Sequence, residues 1–151
     1  MKPILILLTM AFYSISLQSQ SPEDSIKTAV NTLFDGMKNA DASLVSGSFS
    51  DSAVLQTITK NKEGKTTVRN EKVKDFAEFV SKQKKGAADE RIQFEMIKVD
   101  GPLAIAWTPY KFYYEGKFSH CGVNSFQLVR IDGRWKIQYL IDTRRREDCA
   151  E

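Results

Sequence analysis

Residues 103–143, LAIAWTPYKFYYEGKFSHCGVNSFQLVRIDGRWKIQYLIDT, decide the fold. Long runs rich in aromatic and β-branched residues are cut by two short turn signals, Glu115-Gly116 and Asp132-Gly133. Such dipeptides between apolar runs mark tight two-residue hairpins. Three long antiparallel strands are therefore expected, Leu103–Tyr114, Phe118–Ile131 and Trp135–Thr143. A fourth precedes them, because Ile92, Phe94 and Met96 alternate before the turn at Asp100-Gly101-Pro102. Pro109 inside a strand points to a bulge or an edge.

The chain before this meander reads mostly as helix. Ser21 is an N-cap candidate, Pro22 suits the first helical position, and Ile26, Val30, Leu33, Phe34 and Met37 recur at helical spacing. Asp41 caps a shorter helix carrying Leu44, Val45 and Phe49. A hairpin is expected from Ala53–Thr59 and Lys65–Val68, then a third helix over Glu71–Lys84 with Val73, Phe76, Ala77 and Val80 on one side. Helices gathered before a run of strands define an α+β class, in which the helices cover one face of a mostly antiparallel, curved sheet.

The first residues follow another pattern. Lys2 precedes the apolar run Pro3–Tyr13, and Ser14–Gln20 is small and polar, which is the layout of a cleaved signal peptide. The run falls short of the ~20 residues a spanning helix needs. The expected organisation is therefore a signal peptide at 1–19, a single domain at 20–151, export to the periplasm or beyond, and no stable membrane anchor. Without that segment 21 basic residues face 19 acidic ones, too even a balance for nucleic-acid binding. Two cysteines in an exported chain suggest a disulfide between Cys121 and Cys149. The alternative is two separate thiols, with Cys149 in a frayed tail. Two cysteines and the lone His120 are too few for a protein-only zinc site, and no metal or other cofactor is expected.

The segments Trp107–Phe112, Gly116–Gly122, Phe126–Arg130, Gly133–Ile137 and Asp142–Arg145, with Phe34-Asp35-Gly36-Met37 upstream, resemble the nuclear transport factor 2-like superfamily. Within it they are similar to a small exported family named for lumazine binding. The resemblance implies a cone-like fold, with the N-terminal helices packed on a strongly curved sheet around a pocket. It also implies a homodimer and an unidentified small organic ligand. It does not imply one reaction, because that fold carries many.

Counting back from the two turns pairs Trp107 with Asn124 and Ile141, Ile105 with Phe126 and Tyr139, and Lys111 with His120 and Arg145. The inner face then reads Ile105, Trp107, Asn124, Phe126, Leu128, Ile137, Tyr139 and Ile141. A bulge near Pro109 would flip the side chains beyond it. The ligand-binding candidates on this register are Trp107, Asn124, Tyr139, His120, Thr143 and Arg145. The aromatic members also fit a plain core, Asn124 a satisfied core amide, and the arginines a solvated strand end. Asp142 falls on the opposite face. His120 is the candidate acid or base. No HExxH, nucleophile elbow, phosphate loop or CxxC is present. The functional expectation is a small-molecule-binding or dimerisation protein. The alternative is an acid–base hydrolase, dehydratase or isomerase using the same pocket, and a carboxylate or histidine buried inside that pocket separates the two.

Overall fold

The computed structural model describes residues 21–149; the apolar leader expected at 1–19 lies outside them. Helix α1 spans Pro22–Asn39. The Ser21 hydroxyl accepts from the Asp24 backbone N–H, and Pro22 opens the first turn. Its stripe of Ile26, Val30, Leu33, Phe34 and Met37 is buried as the periodicity predicts. Helix α2, Ala42–Ser48, is capped by the Asp41 carboxylate. Strands β1 (Phe49–Lys60) and β2 (Thr66–Glu71) form the first hairpin, and α3 covers Val73–Ser81. Helix α3 is shorter than expected because Glu71 still belongs to β2 and Lys72 supplies no side-chain cap. Strands β3 (Ala88–Ile92), β4 (Met96–Asp100), β5 (Leu103–Tyr114), β6 (Lys117–Ile131) and β7 (Arg134–Thr143) complete the chain.

The sheet runs β2-β1-β7-β6-β5-β3, with β4 also on β5. Every pairing is antiparallel except β1 with β7. The helices close one face, where Phe126, Leu128, Ile137, Ala104 and Ala106 meet the α1 stripe. Phe34 of α1 packs edge-on to Phe126, with ring centroids 6.3 Å apart. Pro109 sits where the edge changes from β3 to β4. Its carbonyl accepts from the Gln93 N–H, and its missing N–H disturbs no ladder there.

The expected register holds beside each turn and fails further out. Tyr114–Lys117 and Tyr113–Phe118 pair as counted; then Ser119 is inserted and Phe112 pairs with His120. Ile131–Arg134 through Leu128–Ile137 also pair as counted; then Gln138 is inserted and Gln127 pairs with Tyr139. Each insertion is a β-bulge, which adds one residue to one strand and strengthens the local twist. Because side chains alternate with period two, each bulge exchanges the faces beyond it. Thr108, not Trp107, therefore pairs with Asn124, and Asp142, not Ile141, lies on the other side of Asn124.

Trp107 is corrected by this shift. It lies on the outer face beside Met96, 40% exposed, and does not line the interior. Trp107→Ala is accordingly expected to cost about 1 kcal/mol in urea unfolding, not the ~3–5 kcal/mol of a packed core tryptophan. A core-sized loss would contradict this placement.

Candidate functional site

The interior holds a cavity of about 60 Å³ at the end of the cone where β7 leaves the sheet. Its apolar side is built by Leu33, Phe34 and Met37 of α1, Leu55 of β1, Phe76 of α3 and Leu140 of β7. Its polar side carries Thr57 of β1, Glu71 of β2, Glu90 of β3, Asn124 of β6, Asp142 of β7 and Arg144 just past β7.

Two polar groups meet there. In the first, Asp142 is 6% exposed. Its Oδ1 accepts from the Thr57 hydroxyl at 2.6 Å, and its Oδ2 accepts from Arg144 Nε at 2.8 Å and from the Tyr110 hydroxyl at 3.3 Å. Arg144 Nη2 also reaches Thr57 Oγ1 at 3.3 Å. Burial works against the Arg144 charge, but the hydrogen bond and charge of Asp142 outweigh it and hold the guanidinium above its ordinary pKa. Tyr110 reaches this group by crossing Gly122, its partner on β6, and also donates to the Thr143 carbonyl at 2.9 Å. A Cβ at position 122 would lie 1.8 Å from the Thr143 oxygen and 2.8 Å from the Tyr110 ring, so only glycine permits this crossing. Burial first, then the negative charges of Glu90 and Asp142, push the phenol far above its ordinary pKa, keeping it a donor.

In the second group, Glu90 Oε1 accepts from the Asn124 amide at 2.8 Å, and Asn124 is 4% exposed. Burial lifts the Glu90 pKa to about 7; the Asn124 hydrogen bond opposes this, Asp142 adds to it and Arg144 subtracts. Among the described residues no hydrogen bond reaches Glu90 Oε2 or Asn124 Oδ1. The adjoining Thr108 hydroxyl is fully buried and likewise unpaired.

Of the residues singled out in the sequence, Asn124 lines the cavity. His120 stands beside it: its ring lies 5.0 Å from Phe112 and edge-on to Tyr110 at 5.8 Å, and Ser119 Oγ is 3.1 Å from its Nδ1. Burial, then the Arg144 charge, lowers its pKa, favouring the neutral ring. The others are placed elsewhere. Tyr139 points outward and donates to Gln56 Oε1 at 2.6 Å. Thr143 Oγ1 accepts from the Val123 N–H, and Arg145 is exposed with its Nε on the Asp148 carbonyl. The second bulge turned Tyr139 outward and brought Asp142 in. Cys121 and Cys149 are joined, with Cα atoms 5.7 Å apart, and the backbones of Cys121 and Arg145 exchange two hydrogen bonds of 2.8 Å.

Glu90, Thr57 and Asp142 escaped the sequence reading. An alternation that starts at Ile92 leaves Glu90 outside the strand, although Ala88, Glu90 and Ile92 form β3 with the same spacing. Thr57 enters only through the parallel pairing with Asp142, which no local pattern announces.

Helices folded over one face of a bent, mostly antiparallel sheet are the architecture of the nuclear transport factor 2-like proteins. Solved structures share it. An NTF2-like protein of unknown function from Shewanella baltica superposes with a TM-score of 0.63 at 14% identity, covering 88% of this chain and 98% of its own. Another from Methylobacillus flagellatus gives 0.63 at 18%, covering 84% and 96%. A cystatin-like-fold protein of unknown function from Nostoc punctiforme gives 0.65 at 10%, covering 84% and 95%. No curated protein matches the chain. Residues 21–139 match the family described as "Putative lumazine-binding", and the chain belongs to that family.

Proposed function

We propose that the protein is an exported carrier or receptor of a small organic molecule, held in the cavity between α1, α3 and the sheet. The observation that supports this most is the pair Glu90–Asn124: one acceptor atom of each, Glu90 Oε2 and Asn124 Oδ1, has no hydrogen-bond partner among the described residues, and both residues line a cavity with apolar walls. Few polar groups converging on apolar walls are the usual make-up of a ligand site. A ligand that donates to these open acceptors while shielding them from water gains a hydrogen bond to each. The volume bounds the guest. Pockets for drug-sized ligands measure roughly 300–1,000 Å³, so the cavity of about 60 Å³ takes a compact molecule unless Phe76 and Arg144 move aside. The Cys121–Cys149 bond accords with an oxidising compartment.

The test is native mass spectrometry of protein recovered from its own host. A chain beginning near Gln18–Ser21 with a non-covalent mass excess is expected. A chain retaining Met1, and carrying nothing, defeats the reading.

Catalysis is the second reading, favoured by Glu90 itself. A carboxyl with a pKa of about 7 both gives and takes a proton at neutrality. In that case Glu90→Gln abolishes turnover and leaves binding in place.

A further inference from the structure

We propose that the cavity selects a small organic cation, an amidine or amine on a short apolar body, and rejects carboxylates and other anions. This deepens the binding reading and rests on it. Three carboxylates line the cavity, Glu71, Glu90 and Asp142, against a single cation, Arg144. Arg144 is committed already, with Nε on Asp142 and Nη2 at Thr57. Its side chain is 43% exposed, so water competes for its remaining N–H groups. Glu71 lies 3.8 Å from the exposed Arg69, a weak pair at the rim.

The interior therefore has no unspent positive charge, and its unpaired atoms at the polar end, Glu90 Oε2 and Asn124 Oδ1, are acceptors. An anion placed there would meet Glu90 and Asp142 with no uncommitted cation to offset them. A planar N–H head would give one hydrogen to each acceptor, and Phe34 and Phe76 place aromatic rings in the walls, a surrounding that suits a cation. Size agrees. A cavity of about 60 Å³ suits a molecule with a short body.

The affinity for such a cation is set by the ionised form of Glu90. The groups facing Glu90 are Asn124 of β6, Tyr110 of β5, Asp142 and Arg144 at the end of β7 and Glu71 of β2, while α1 turns Lys38 away to Asp89 at 2.9 Å. Protonated Glu90 has no negative charge to offer. Affinity is therefore expected to rise about tenfold per pH unit below pH 7 and to level off above it.

Acetamidinium, acetamide and acetate have the same small planar shape and differ in charge, which makes them the probes. Their dissociation constants are measured by NMR titration at pH 8. Acetamidinium is expected to bind at least ~10-fold more tightly than acetate. Glu90→Gln should reduce that preference to about twofold while acetamide binding stays within about twofold, and Glu90→Asp, which keeps the charge, should restore most of it. If acetate binds as well as acetamidinium, or the preference survives Glu90→Gln, the charge selection is wrong while the pocket stands. If none of the three shifts any resonance of the cavity residues, the binding reading fails and takes the selection with it.

Discussion

Asp142→Ala is expected to lower the unfolding free energy by about 3–4 kcal/mol, the largest single effect among the polar residues of the site. The carboxylate is buried and accepts from Thr57, Arg144 and Tyr110 together. Its loss strips three donors at once. Tyr110 keeps the Thr143 carbonyl, so its share of the cost is small. The half-exposed Arg144 can turn to water, which keeps the loss below the ~5 kcal/mol upper end for a broken buried pair. Thr57, almost fully buried, has no such escape. Asp142→Asn keeps the shape and the Thr57 bond but sets an amide N–H₂ against Arg144, so it should fall between the native protein and Asp142→Ala. Denaturant unfolding of the three proteins gives the order. A loss under ~1 kcal/mol for Asp142→Ala would mean that Asp142 is not the hub of this group.

Glu90→Gln is expected to do the opposite. In the fold Glu90 keeps its proton up to about pH 7, whereas in the unfolded chain it loses it near 4.5. Between those values the folded state binds more protons, so stability falls as pH rises. The deficit is complete above pH 7 and amounts to roughly 3 kcal/mol. Glutamine has nothing to ionise and can still accept from Asn124 Nδ2. The variant should match the native protein near pH 4.5, pull ahead through pH 5–7, and stand about 2–3 kcal/mol above it at pH 8. Parallel stability curves across that range would show that Glu90 is not held in its neutral form. A buried carboxyl that costs the fold stability at neutral pH does not serve folding, which is why Glu90 carries the functional argument.

The helical half was legible because its signals are local. The Ser21 cap, Pro22 and the buried stripe of α1 appear as read, and so do the Asp41 cap and the two tight turns. The three long strands were also found, since Glu115-Gly116 and Asp132-Gly133 both adopt the positive φ that a two-residue hairpin requires. What failed was parity. Neither Ser119 nor Gln138 differs in composition from a regular strand residue, yet each moves everything beyond it to the other face. Asn124 alternates with Phe126 and Leu128 on a stretch of β6 that neither bulge interrupts, so its inner face was legible, while Trp107 and Tyr139 were each placed across one bulge and came out on the wrong face. Glu90 and Thr57 depend on pairings with distant strands, which the helical and hairpin signals do not specify.

The covalent link from Cys121 to Cys149 has a consequence for Arg144. Past Thr143 the backbone is fixed by one bridge, Arg145 with Cys121, before the bond closes the loop. A side chain two residues beyond Asp142 on an untethered end would share its time between the cavity and water. With both sides of the segment anchored, the guanidinium is presented to Asp142 at a high effective concentration, and pairing costs little further ordering. The tail thus supplies the pocket with a resident counter-ion, one that the seven-stranded sheet alone does not hold in place.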